Sequence, residues 1–167
     1  MQSSEDNRLF HKVPPIYDAH SRVLILGTFP SPKSREASFF YSHPSNRFWP
    51  VMARIFGVEL PQTVRDKRKL LLDKNVALWD VVASCTIENA KDSSIRNCEP
   101  HDLSIIFSVA DIAAVFTTGA KAYQLYNRLC LKSTNMPAIA LPSTSAANAK
   151  FSLDQLVDKY SAILQYL

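Results

Sequence analysis

Four short apolar runs, Arg22–Leu26, Val76–Val82, Ile112–Phe116 and Ala138–Leu141, are separated by stretches with helical patterning. Runs this short, rich in β-branched residues and leucine, suit buried strands, whereas a helix needs about ten residues or more. Strands buried on both faces point to a parallel sheet, and parallel neighbours need crossover connections that helices supply. The chain therefore reads as α/β, with three layers, α/β/α, around a central four-stranded parallel sheet.

The intervening segments fill in that frame. Asn46 can cap a helix from Arg47 to about Phe56, Gly57 supplies a stop, and Pro50 is tolerated in the first turn, where an N–H has no internal acceptor. Thr63–Lys74 reads as a second helix with a basic face from Arg65, Lys67, Arg68 and Lys69. The polar stretch Ser84–Cys98 reads as a long loop, Pro100 as the opening of another helix, and Gly119 as the turn into a helix ending near Cys130. Ser152 and Gln155 form a capping box for a last helix, and apolar residues from Leu153 to Leu167 recur on one of its faces.

At 167 residues the chain is sized for a single domain, 1–167, with residues 1–20 as an N-terminal extension. A net charge of +4 suits a partner with a phosphate backbone. The longest apolar stretches fall far below the roughly 18 residues of a membrane span, and Met1–Arg8 lacks the pattern of a secretion signal, so a cytoplasmic protein is expected. Three cysteines with no CxxC pair argue against a disulfide framework and a thiolate metal site. Zinc-ligand spacing, a GxSxG elbow, a GxGxxG turn and a Walker loop are also missing, so neither metal nor cofactor is expected.

Ligands of such folds bind beyond the carboxyl ends of the strands. The loop after the first strand reads Gly27-Thr28-Phe29-Pro30-Ser31, then Phe39-Phe40-Tyr41-Ser42-His43-Pro44-Ser45-Asn46-Arg47-Phe48-Trp49. This resembles the first motif of the uracil-DNA glycosylase superfamily, which in the mismatch-specific enzymes runs GINPG and then HPxNxFW. The loop after the fourth strand, Leu141 to Ala149, resembles the superfamily's second motif, a Pro-Ser loop that enters the minor groove. With Ala77–Val81 and Asp92–Asn97 between them, the combination is similar to the hypoxanthine-DNA glycosylase branch, family six.

That resemblance implies a monofunctional enzyme that flips a deaminated base out of DNA and cleaves its N-glycosidic bond in base excision repair. Hypoxanthine is the first candidate, with uracil and xanthine beside it; a catalytically inactive lesion-binding protein of the same fold is the alternative. It also implies a monomer with no obligate protein partner. Thr28 stands where the mismatch-specific enzymes carry a water-positioning asparagine, a departure the hypoxanthine branch shares. There the asparagine of HPxN is implicated in catalysis, and it matches Asn46. Tyr41 aligns with the aromatic that lies against the flipped base.

Several of these residues keep a second reading. Asn46 can be a helix cap, a catalytic group, or both. Backbone N–H groups of Gly27, Thr28 and Phe29 can stabilise charge on the departing base. Asp80 can orient the base edge or cap the next turn, and Asp92 and Arg96 can pair to order their loop. Pro142, Ser143, Thr144, Ser145 and Asn148 can hold phosphates and fill the gap left by the base, or form a plain turn. Lys33, Arg35, Lys121 and Lys150 can add phosphate attraction. His43, next to Pro44, is expected to make a structural hydrogen bond rather than act as a general acid.

Overall fold

Strand-forming residues meet turn formers at nearly every boundary of the computed structural model, which describes residues 7–87 and 94–167. In chain order the elements are β1 (Arg8–Phe10), β2 (Val23–Gly27), α1 (Pro32–Ala37), α2 (Phe48–Phe56), α3 (Val64–Asp73), β3 (Val76–Asp80), β4 (Val82–Ile87), β5 (Ile95–Pro100), α4 (Ser104–Phe107), β6 (Ala114–Thr118), α5 (Ala120–Leu129), α6 (Leu131–Thr134), β7 (Ala138–Leu141) and α7 (Leu153–Tyr160), followed by a 3-10 turn, Ser161–Tyr166.

The four expected strands form one parallel sheet in the order β3-β2-β6-β7. Every residue of β2, β3 and β6 is buried. Helices flank the sheet: α3 packs on β3, α5 on β6 and β7, and α2 and α7 on each other. Gly57 ends α2 at φ 63°, a left-handed conformation that costs glycine nothing. The capping box at Ser152 and Gln155 opens α7. Among the described residues, no helix is long and apolar enough to cross a membrane.

A second sheet departs from the expected layout. The strand expected over Val76–Val82 divides at Val81, and Ser84–Cys98, expected as a loop, supplies much of β4 and β5. These pair antiparallel with β1 in the order β1-β4-β5. Its strands are polar and partly exposed, and register shifts interrupt the pairing of β4 with β5, so no clean alternation marks them. Side chains help to hold them: Arg8 donates to Ser84 Oγ at 2.8 Å and to the Asn97 carbonyl at 2.9 Å. Pro100 closes β5 instead of opening a helix, at a strand end where a missing N–H is tolerated. Asp102 Oδ1 instead accepts the Ser104 N–H that opens α4.

Residues expected in an N-terminal extension are built into the fold. The β1 strand pairs with β4, while Val13 and Ile16 are buried and Ile16 bridges Leu78 of β3. Asp92 lies outside the described residues. Its expected partner Arg96 is on β5 and donates to the Ile95 carbonyl.

Candidate active site

Parallel strands place their carboxyl ends on one edge of the sheet, and there a cleft of about 650 Å³ opens. Its floor is the end of β2 against the end of β3, where Gly27 faces Asp80 in register. The Asp80 side chain folds directly over Gly27. A β-carbon on residue 27 would stand 2.4 Å from Asp80 Oδ1 and 3.0 Å from the Tyr41 hydroxyl, so the close approach itself requires glycine. The Gly27 and Thr28 carbonyls accept the N–H groups of Val81 and Val82. The N–H groups of Thr28 and Phe29 have no acceptor among the described residues, although both residues line the cleft.

Two histidines that motif reading passes over anchor Asp80. His11, carried in by β1 and tied to the Ala83 carbonyl through its own N–H, has a fully buried side chain whose Nε2 meets Asp80 Oδ2 at 2.7 Å. Its Nδ1 accepts the Val13 N–H, which leaves Nε2–H as the donor to the carboxylate. His101 donates from Nδ1 to the Asp80 carbonyl at 2.8 Å, stacks on Trp79 at 3.8 Å and meets His11 edge-on. Burial pushes His101 down to about 4 against the opposing pull of its bond to Asp80, so its ring is neutral near pH 7. Lone histidines carry no sequence spacing; the only advance signal was an aspartate at a strand end, which needs donors once buried.

The next wall comes from the segment between α1 and α2. Phe39 and Phe40 are buried while Tyr41 stays partly exposed on the cleft. Tyr41 adopts φ 52°, lays its ring on Phe48 at 4.1 Å and bonds through its hydroxyl to Thr118 Oγ1 at 3.0 Å. Asn46 lies one residue ahead of the N-cap position, Arg47, and its Oδ1 accepts the Phe48 N–H at 2.9 Å. The same oxygen accepts the Thr144 hydroxyl at 2.9 Å. With Oδ1 committed, Nδ2 is the polar group that Asn46 has left for the cleft. His43 also lines the cleft, and its Nδ1 accepts the Ser45 N–H.

The opposite wall is the loop after β7. Ser143, Thr144, Ser145 and Asn148 line the cleft; Pro142 does not, and its carbonyl instead accepts the Tyr160 hydroxyl at 2.6 Å. One side chain that the sequence reading missed holds this loop. Arg47 donates to the carbonyls of Thr144, Ser145, Asn148 and Phe151, while its backbone N–H also binds the Thr144 carbonyl. Of the basic residues considered for phosphate attraction, Lys33 pairs with Glu36 and Arg35 donates to the Pro30 carbonyl. Among the described residues, no group of three or more His, Cys, Asp or Glu side chains could hold a metal.

The chain matches the Uracil DNA glycosylase superfamily over residues 14–167. It belongs to that superfamily. Two relatives named Hypoxanthine DNA glycosylase are similar to it. One, from Methanosarcina acetivorans, is 32% identical over 83% of this chain and 88% of its own length; the other, from Methanosarcina barkeri, is 30% identical over 82% and 87%. A solution NMR structure from Methanosarcina acetivorans, described as a candidate uracil DNA glycosylase, superposes with a TM-score of 0.75. It is 27% identical and covers 90% of this chain and 96% of its own. The superfamily match begins just after His11, so the residue that braces Asp80 lies outside it.

Proposed function

We propose that this protein is a monofunctional DNA glycosylase that removes deaminated bases, hypoxanthine foremost, by hydrolysing the N-glycosidic bond. The observation that carries this is the meeting of two turns on one cleft. The segment after β2 brings Gly27, Thr28, Phe29, Tyr41 and Asn46, the loop after β7 brings Ser143 to Asn148, and the Thr144–Asn46 bond joins them. The volume lies within the range of small-ligand sites and has room for a purine. The hypoxanthine glycosylase names of the two relatives point the same way.

A base within a duplex is out of reach, so the nucleotide turns out into the cleft at a cost of a few kcal/mol. Tyr41, backed by Phe48, offers a stacking face worth about 1–3 kcal/mol. As the bond from C1′ to the base breaks, its electron pair leaves with the base. A water oxygen bonds to C1′ and the water's proton passes to solvent. The unused N–H groups of Thr28 and Phe29 stabilise the charge growing on the base. Asn46 is too weak a base to take a proton; through Nδ2 it orients the departing base and the water. Ser143, Thr144, Ser145 and Asn148 meet the DNA strand and the vacated stack.

Duplexes carrying deoxyinosine, deoxyuridine or deoxyxanthosine, followed by alkaline cleavage, test this reading. Wild type should release hypoxanthine, and Asn46→Ala should lose at least ~100-fold in single-turnover rate, as for other transition-state donors. Full activity in Asn46→Ala defeats the assignment. Binding to deoxyinosine duplexes without base release makes the protein a lesion binder. No lysine lines the cleft to form a Schiff base, so strands should stay intact until alkali is added.

A further inference from the structure

Asp80 has one committed oxygen and one that is not. Oδ2 accepts from His11, whereas Oδ1 has no donor among the described residues. The residue is 5% exposed, its carbonyl is held by His101, and it lines the cleft beside Gly27 and Tyr41. A nearly buried acceptor fixed at three points and left without a donor is poised for one from a ligand, since an unmade hydrogen bond there costs free energy.

Deamination changes one edge of a base in a consistent way. Adenine and cytosine present an amino donor beside a bare ring nitrogen, which accepts. Hypoxanthine, xanthine and uracil present a carbonyl acceptor beside a ring N–H, which donates. A fixed carboxylate oxygen can accept that N–H but is repelled by the lone pair of the parent base. We propose that Asp80 Oδ1 distinguishes a deaminated base from its parent, and that His11 is the positioning residue that keeps this oxygen turned to the cleft. The inference rests on the glycosylase reading above and adds the basis of its substrate choice.

The two side chains make opposite demands on an amide at position 80. In Asp80→Asn the His11 Nε2–H still needs an acceptor, so the amide oxygen turns to His11 and the NH₂ group faces the cleft. The edge preference then reverses. Asp80→Asn should lose at least ~100-fold in hypoxanthine and uracil release, because a polar site meeting the wrong partner discriminates strongly. Free adenine should become a better competitor than free hypoxanthine, the reverse of wild type.

His11 is tested by substitution and by rescue. His11→Phe should lose about 10-fold in hypoxanthine release, with free-base preference moving toward that of Asp80→Asn, while His11→Gln, which keeps a donor, should stay within about 3-fold of wild type. In Asp80→Asn/His11→Phe the amide can turn back, so hypoxanthine release should rise above that of Asp80→Asn alone. A merely structural role predicts additive losses and an unchanged ratio of free-base affinities. Thermal unfolding shows that each variant is folded, and free-base competition reads the edge even where release is too slow to follow. An unchanged ratio, or an equal loss on every base, overturns the inference while leaving the glycosylase reading intact. A wild-type protein that releases no base overturns both.

Discussion

The floor and the far wall of the cleft are built in different ways. The floor, Gly27 to Phe29 with Asp80, is held by parallel ladder bonds, buried side chains and two histidines. The far wall, Ser143 to Asn148, is held mainly by its own turn bonds, by Arg47 and by the Thr144–Asn46 contact. Ser143, Ser145 and Asn148 are partly exposed, and Ala146 and Ala147 fully so. The difference matches the two tasks of a base-flipping enzyme. Chemistry needs donors fixed to a fraction of an ångström, which sheet ends provide, whereas strand binding tolerates a wall that adjusts.

Gly27→Ala would break the floor and carries the largest expected effect. The new methyl meets Asp80 Oδ1 at 2.4 Å, and a carboxyl fixed by His11 cannot withdraw freely. Overpacking of this kind costs about 1–3 kcal/mol in stability. A displaced floor should lower single-turnover base release by at least ~100-fold, while affinity for a deoxyinosine duplex stays near wild type. Near-normal release would show that the floor adjusts as readily as the wall.

Arg47→Ala attacks the other side. Hydrogen bonds from a charged donor contribute about 1.5–3 kcal/mol where they are buried, and these partly exposed carbonyls lie at the low end. Base release should fall about 10-fold together with duplex affinity, with faster amide exchange confined to residues 144–151. Arg47→Lys should not restore them, because a point charge cannot reach carbonyls spread over that span. Loss of release with undiminished DNA affinity would erase the distinction between floor and wall.

The parallel sheet was legible because apolar runs of strand length alternated with helical periodicity, and a buried strand has little other way to look. Asn46, Tyr41 and the Ser143 loop were legible as motifs. The second sheet was not, since β4 and β5 are polar, bulged and stabilised by partners such as Arg8 that lie far away in sequence. The α1 helix carried an overlooked signal, Ser31 as N-cap with Pro32 at its first position. His11, His101 and Arg47 were hidden for another reason. Each acts through a group dozens of residues away, and no local pattern encodes that distance.

Thr144→Val tests the seam between floor-side and wall-side residues. Thr144 is 1% exposed and donates to Asn46 Oδ1, which also accepts the Phe48 N–H. Removing one of two donors should cost about 1 kcal/mol. If Asn46 is steered by that bond, release slows about 5-fold with little change in affinity for DNA. An affinity loss without a rate loss would assign Thr144 to the wall alone.

The smallest effect concerns pH and belongs to the floor. Unfolded His101 takes its proton at the ordinary value of 6.5, whereas the folded ring, desolvated by burial, takes it only near about 4. Between those values the unfolded state binds more protons, so the stability contributed by the neutral ring is complete above 6.5, declines as pH falls and levels off below about 4. Exposure of part of the ring to solvent moderates the loss. Urea midpoints of wild type should therefore drop more steeply than those of His101→Phe from pH 6.5 to 4, after allowance for a constant offset from the lost bond to the Asp80 carbonyl. Parallel curves would mean that His101 titrates alike in both states and that the ring stacked on Trp79 gives the floor none of its rigidity through burial.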